Sequence, residues 1–141
     1  MIVVVDASVA IKWFVSTQAA EAHADRALSI LERSVLGSFE MVQPPHFVAE
    51  VAAVLARLKP QDAQEDLLDL LQIEFGTLDT PSVYAKATEL AVKLRHHLFD
   101  TLYHAVALTT PGATLVTADQ QYFAKARSEG GIALLSEFTH A

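Results

Sequence analysis

The sequence predicts an α/β fold built on a parallel sheet, and three observations carry that prediction. Ile2-Val3-Val4-Val5 and Ala113-Thr114-Leu115-Val116-Thr117 are short runs of the kind buried on both faces of such a sheet, each followed within two residues by an aspartate. Between them lie segments whose apolar residues recur at helical spacing. Proline and glycine stand at the joints: Pro44-Pro45, Pro60, Pro81, Pro111-Gly112 and Gly130-Gly131. Strands that alternate with helices in this way pair in parallel.

Taken in order, Ile2 to Val5 is a strand, and Ala7 to Val15 a helix whose apolar surface is Val9, Ala10, Trp13 and Phe14. Gln18 to Val35 sets Ala20, Ala24, Ala27, Leu28, Leu31 and Val35 on one helical face. Glu40 to Gln43 reads as a short strand. Pro44-Pro45 then opens a helix to about Lys59, with Phe47, Val48, Val51, Val54, Leu55 and Leu58 as its stripe, and Pro60 stops it. Pro60 also begins an acidic helix, with Ala63, Leu67, Leu70 and Leu71 inward and Asp62, Glu65, Asp66 and Asp69 outward. Leu68, Ile73 and Phe75 fall off that stripe and predict a partner surface. Thr80-Pro81 introduces a helix with Val83, Ala87, Leu90, Ala91, Leu94 and Leu98 on one face. Asp100 to Thr109 is a helix, Ala113 to Thr117 a strand, Gln120 to Glu129 a helix ended by Gly130-Gly131, and Ile132 to Leu135 a final strand.

A length of 141 residues with 52% hydrophobic content supports one domain with a core and is too short for two. The absence of cysteine excludes disulfide frameworks, thiolate zinc sites, iron-sulfur clusters and thiol nucleophiles, so any metal must be held by oxygen or imidazole. Met1 to Asp6 has no basic region and only a brief apolar run, unlike a secretory signal, which makes the cytoplasm the expected compartment. Thr101 to Ala118 carries no formal charge, yet Pro111-Gly112 interrupts it and it is too polar for a bilayer span, so no membrane role is expected.

Active sites of open parallel sheets lie beyond the carboxyl ends of the strands. Asp6 and Asp119 both have that address. Glu50 sits beside Phe47 and Val54 at the border of a buried stripe, where a carboxylate is partly desolvated and needs a positive partner. Asp100 opens its helix and also faces inward. Taken singly, Asp6, Asp100 and Asp119 read as helix N-caps and Glu50 as a border residue. Converging without lysine or arginine, they would repel by roughly 1 to 4 kcal/mol per close pair and call for a divalent cation. An all-oxygen site suits Mg²⁺ or Mn²⁺, whose chemistry fits phosphodiester hydrolysis.

In combination, Val-Val-Asp6-Ala-Ser-Val, Glu50 within a central helix, Phe99-Asp100-Thr-Leu-Tyr-His-Ala-Val-Ala107 and Leu-Val-Thr117-Ala-Asp119 resemble the PIN-domain ribonucleases. The resemblance runs from Met1 to about Leu135 and is greatest to the VapC-type toxins of type II toxin-antitoxin pairs. It implies a three-layer α/β/α sandwich with a parallel sheet of about five strands, and an Mg²⁺- or Mn²⁺-dependent endoribonuclease inhibited by a cognate antitoxin. It also implies a homodimer. Asp6, Glu50, Asp100 and Asp119 match the family's acidic positions, with Asp6 and Asp100 expected as principal metal ligands; Ser8 and Thr117 match supporting hydroxyls. The expected chemistry is attack of metal-activated water on the scissile phosphate of RNA.

A net charge of −7 opposes a polyanionic substrate, but Asp62, Glu65, Asp66, Asp69 and Glu74 sit in one segment without a basic residue. Set aside, they leave a nearly neutral remainder in which Lys12, Arg57, Lys93, Arg95, Lys125 and Arg127 are available for backbone contacts. His104, four residues after Asp100, is a supporting candidate against the plainer reading of a buried, capped histidine. His96 and His97 read as charges at a helix carboxyl end, and Trp13 as core rather than a base-stacking platform. An aspartate-nucleophile phosphatase needs a second aspartate where Ser8 stands. A receiver-like domain needs adjacent acids that Asp6 lacks. A degenerate PIN-like interaction module remains the alternative.

Overall fold

The computed structural model describes residues 1–15 and 22–139. Five strands form one sheet: β1 (Ile2–Val5), β2 (Glu40–Gln43), β3 (Gly76–Thr77), β4 (Ala113–Thr117) and β5 (Ile132–Leu134). Their order is β3-β2-β1-β4-β5 and every pairing is parallel. The helices among the described residues are α1 (Ala7–Ala10, continued as a 3₁₀ turn to Trp13), α2 (Ala24–Val35), α3 (Phe47–Leu58), α4 (Ala63–Leu71), α5 (Pro81–Leu94), α6 (Leu98–Thr109) and α7 (Gln120–Ala126, continued to Glu129). The parallel sheet is the one that the strand and helix alternation predicted, and the three-layer α/β/α sandwich is the architecture that the family resemblance implied.

Val3, Val4 and Val5 are fully buried because β1 is central, with β2 on one side and β4 on the other. The chain leaves β1 toward β2 and later returns to its opposite side as β4, so the reversal of strand order falls between β1 and β4. That crevice is where ligands bind in doubly wound sheets. One polar side chain holds the end of β1. Gln43, fully buried at the end of β2, accepts from the Val5 N–H at 2.9 Å and donates to the Val5 carbonyl at 2.7 Å. It thus completes the strand just before Asp6.

α6 packs against the central strands and α5, and Thr101 through Ala107 are all buried. The Thr101 hydroxyl donates to the Ala87 carbonyl at 2.8 Å, joining α6 to α5. Arg95 ends α5 in the left-handed region, at φ 51°, and turns the chain into α6.

The structure corrects several boundaries. The second helix begins at Ala24, after His23 in the left-handed region; Gln18 to Glu21 of its expected span lie outside the described residues. Its buried residues are Ala27 and Ile30, while Leu28 and Val35 are exposed, and the indole of Trp13 donates to the Ala27 carbonyl at 2.9 Å. Pro44-Pro45 and Pro60 stand in turns before α3 and α4 rather than in their first turns. Leu58 and Leu71 are exposed, not inward, whereas Ile73 and Phe75 pack on the core, with Phe75 edge-on to Phe47. Leu98 belongs to α6, not to the face of α5. β3 is an edge strand of two exposed residues that no side-chain pattern announces.

Candidate active site

Asp6 and Asp119 are N-caps and also neighbours across the sheet. The Asp6 carboxylate accepts from the Val9 N–H, and Asp119 from the Tyr122 N–H at 3.0 Å, the capping role expected of an aspartate before a helix. Parallel β1 and β4, in register from Ile2 with Ala113 to Val5 with Val116, bring Thr117 and Asp119 beside Asp6. The Thr117 hydroxyl donates to one Asp6 oxygen and accepts from the Asp119 N–H; the Ser8 hydroxyl donates to the other and accepts from the Ala118 N–H at 3.0 Å. A hydroxyl has one proton, so each backbone amide aims its hydroxyl at Asp6. Ser8 and Thr117 therefore hold Asp6 and tie the two strand ends together.

Asp100 stands in the first turn of α6, whose N-cap is His97, so it is not the helix cap that its position suggested. Its carboxylate accepts from His96 Nε2 at 2.7 Å. Ligand atoms of His96, Asp100 and Asp119 all lie within 4.8 Å of one another. Glu50, half-buried on α3, accepts from the Tyr103 hydroxyl at 3.0 Å and has His46 Nε2 at 3.8 Å. His46 in turn lies 2.7 Å from the Phe99 carbonyl. The four acids thus come from four different elements: Asp100 and Asp119 lie close together with His96, and the charge of Asp100 reaches Asp6 and Glu50.

Burial dominates the electrostatics, and repulsion between the acids adds a smaller rise. Desolvation pushes Asp6 up to about 6 against the hydrogen bonds from Ser8, Thr117 and Val9, and the charge of Asp100 adds to the rise. Burial likewise raises Glu50, opposed by the Tyr103 hydrogen bond and reinforced by Asp100 and Asp6. Among the described residues no lysine or arginine forms an ion pair with these four carboxylates; the basic neighbours are His46 and His96. The donor set is oxygen-rich, short of positive charge and at the switch point, which fits a hard divalent cation. Among the described residues, Asp100 and Asp119 with His96 have ligand atoms close enough to share one ion, while Asp6 and Glu50 stand outside that group.

His104 is elsewhere. Fully buried on α6, it bonds the Tyr122 hydroxyl through Nδ1 at 2.9 Å and the Gly130 carbonyl through Nε2 at 2.7 Å, and desolvation lowers its pKa. It joins α6, α7 and the turn before β5, the capped-histidine reading rather than a place among the acids. Three contributors escaped sequence reasoning: His96, Tyr103 and Gln43. His96 had a usable signal, since four residues before Asp100 is one turn. Tyr103 had one too, lying three residues after Asp100, but Gln43 looked like an ordinary strand residue.

Residues 3–128 match the family model for the PIN domain. The chain belongs to the PIN-domain family. No curated protein matches it. Among solved structures, PAE2754 of Pyrobaculum aerophilum is similar with a TM-score of 0.61 and 24% identity, covering 95% of this chain and 89% of that one. VapC20 of Mycobacterium tuberculosis, described as a sarcin-ricin loop cleaving toxin, is similar at 0.61 and 16% over 82% of this chain and 87% of its own. VapBC2 of Rickettsia felis, solved on a promoter DNA fragment, gives 0.65 and 18% over 95% and 97%. At these identities the likeness is one of fold. Among the described residues of this PIN domain, no helix is long and apolar enough to cross a membrane.

Proposed function

We propose that this PIN domain, a single unit over residues 1–141, is an Mg²⁺- or Mn²⁺-dependent endoribonuclease and the toxin of a toxin-antitoxin pair. The observation that supports the reading is the close approach of Asp100, Asp119 and His96 beside the end of β1, with Asp6 and Glu50 raised by burial and by the nearby charge of Asp100. A bound divalent ion supplies an activated water and neutralises charge on the phosphoryl group. Asp6 and Asp100 would be its principal ligands, with Glu50 and Asp119 holding it directly or through water; Ser8 and Thr117 keep the Asp6 oxygens in place, and Tyr103 does the same for Glu50. No nucleophilic side chain is required, which agrees with the lack of cysteine.

A cognate antitoxin and a second copy of the chain are the expected partners. The toxin branch is supported by the likeness to VapC20 and VapBC2 in fold and by the family motifs around the four acids. Leu68 and Leu71 of α4, Val35 of α2 and Leu36 just after it are exposed apolar residues available to such partners. The test is cleavage of a mixed RNA pool by wild type and Asp6→Asn, with Mg²⁺, Mn²⁺ or chelator present. Metal-dependent cutting lost in the variant is expected; equal cutting by both proteins, or cutting in chelator, would end the nuclease reading. A folded wild type that cuts nothing would favour the degenerate interaction module.

A further inference from the structure

Beside the acidic centre lies a groove of the opposite character. About 450 Å³ in volume, it is lined by Ala91, Arg95, His96, His97, Gln121 and Lys125, from the end of α5, the turn into α6 and the exposed side of α7. No carboxylate lines it, although the chain carries a net charge of −7. Among the described residues neither Arg95 nor Lys125 has a carboxylate partner, whereas Lys59, Lys86 and Lys93 each do. Of the six basic residues available for backbone contacts, Lys93 is engaged with Glu129 and Arg127 lies over the Phe123 ring. Arg95 and Lys125 stand together.

The groove is held in shape. Arg95 adopts the left-handed conformation at φ 51°, a costly one for a residue with a side chain, and its N–H is bonded to Ala91 at the end of α5. Lys125 lies 3.4 Å from the Arg95 carbonyl and 3.2 Å from His96 Nδ1. Lysine can only donate, so Nδ1 accepts and His96 Nε2 is the nitrogen that donates to Asp100. His96 therefore has one edge on the groove and the other on a carboxylate of the acidic centre, and its ring rests on Tyr122.

We propose that this groove is a phosphate subsite for the substrate strand: Arg95 and Lys125 bind a backbone phosphate next to the one that faces Asp100 and Asp119. Forked guanidinium donors and an ammonium are the groups that recognise phosphate, and the Gln121 amide and His97 ring nitrogens add polar groups around them. Its volume accommodates a phosphate with its ribose. The subsite answers the difficulty posed by the acidic chain, since it concentrates positive charge beside the acidic centre. The inference rests on the nuclease reading.

The experiment measures binding of a labelled, cleavage-resistant single-stranded RNA in chelator, together with Mn²⁺ binding and steady-state cleavage. It compares wild type, Arg95→Gln/Lys125→Gln, and the charge-matched control Arg33→Gln/Lys86→Gln, whose positions lie outside the groove. The groove variant is expected to bind RNA about tenfold more weakly, with a salt slope shallower by about 0.7 for each phosphate that is no longer neutralised. Its KM should rise similarly, with kcat and Mn²⁺ affinity kept, and the control should resemble wild type. RNA binding equal to wild type in a groove variant overturns the subsite while leaving the nuclease reading intact. So does an equal loss in the control, or a parallel fall in Mn²⁺ affinity that places the effect at Asp100. If the groove variant keeps RNA binding but loses capture of an acidic peptide, the groove serves a protein partner instead. A wild type that neither binds nor cuts RNA removes the underlying reading and the subsite with it.

Discussion

Asp6→Asn should make the metal-free protein more stable while abolishing its activity. Burial and Asp100 raise the Asp6 pKa from 3.8 to about 6, so ionising the group in the folded protein costs about 3 kcal/mol relative to the unfolded chain. Asparagine removes that cost but brings an NH₂ that cannot accept from Ser8 or Thr117, so one hydroxyl bond is lost, at about 1 kcal/mol. The net gain at pH 8 is about 1 to 2 kcal/mol, a Tm increase of roughly 3 to 8 °C for a chain of this size. The sign follows from the direction of the shift. Because the folded pKa lies above the unfolded one, the folded state holds the proton more tightly. This contribution to wild-type stability is therefore greatest below pH 3.8, declines as the pH rises toward 6, and stays low above it. The assay is thermal unfolding in chelator from pH 4 to 8, repeated with Mg²⁺. Wild type should gain stability from the ion by mass action, and the variant should not. An Asn variant less stable than wild type in chelator at pH 8 would refute the reasoning, because Asp6 would then be a stabilising, well-solvated cap.

Other expectations follow from the same contacts. Gln43→Leu leaves the Val5 N–H and carbonyl without partners in the core and should cost about 2 to 4 kcal/mol in urea unfolding. Tyr103→Phe frees Glu50 and should lower cleavage several-fold while costing about 1 to 3 kcal/mol of stability; unchanged kinetics would remove Tyr103 as the holder of Glu50. His104→Leu abandons the Tyr122 hydroxyl and the Gly130 carbonyl, so it should lower stability by about 1 to 3 kcal/mol and leave Mn²⁺ affinity at the wild-type value. Loss of Mn²⁺ binding in a folded His104 variant would restore it to the site.

The sheet was legible wherever burial on both faces wrote a continuous apolar run, as in Val3 to Val5 and Leu115 to Val116. From those strands the meeting of Asp6 and Asp119 followed, because parallel neighbours end on the same edge. β3 was invisible because Gly76 and Thr77 join through backbone groups alone and are exposed. The inward face of α2 is ambiguous in the sequence because several nearly equivalent faces of Ala, Leu and Val compete there, and the one that is buried carries Ala27 and Ile30. His96 was read as a helix-end charge because the sharp turn at Arg95, which aims it back onto Asp100, depends on a left-handed arginine that nothing local predicts. Hydrogen bonds between segments distant in the chain, such as Gln43 to Val5 and Tyr103 to Glu50, have no periodic signature.

The most direct measurement is a Mn²⁺ titration followed by electron paramagnetic resonance, on wild type and on Asp6→Asn/Asp100→Asn at neutral pH. Clustered carboxylates at the strand ends predict saturable uptake by wild type and its loss in the double variant, with both proteins folded by circular dichroism. Manganese that stays free beside wild type, or that binds both proteins equally, would contradict a cation site built from these aspartates.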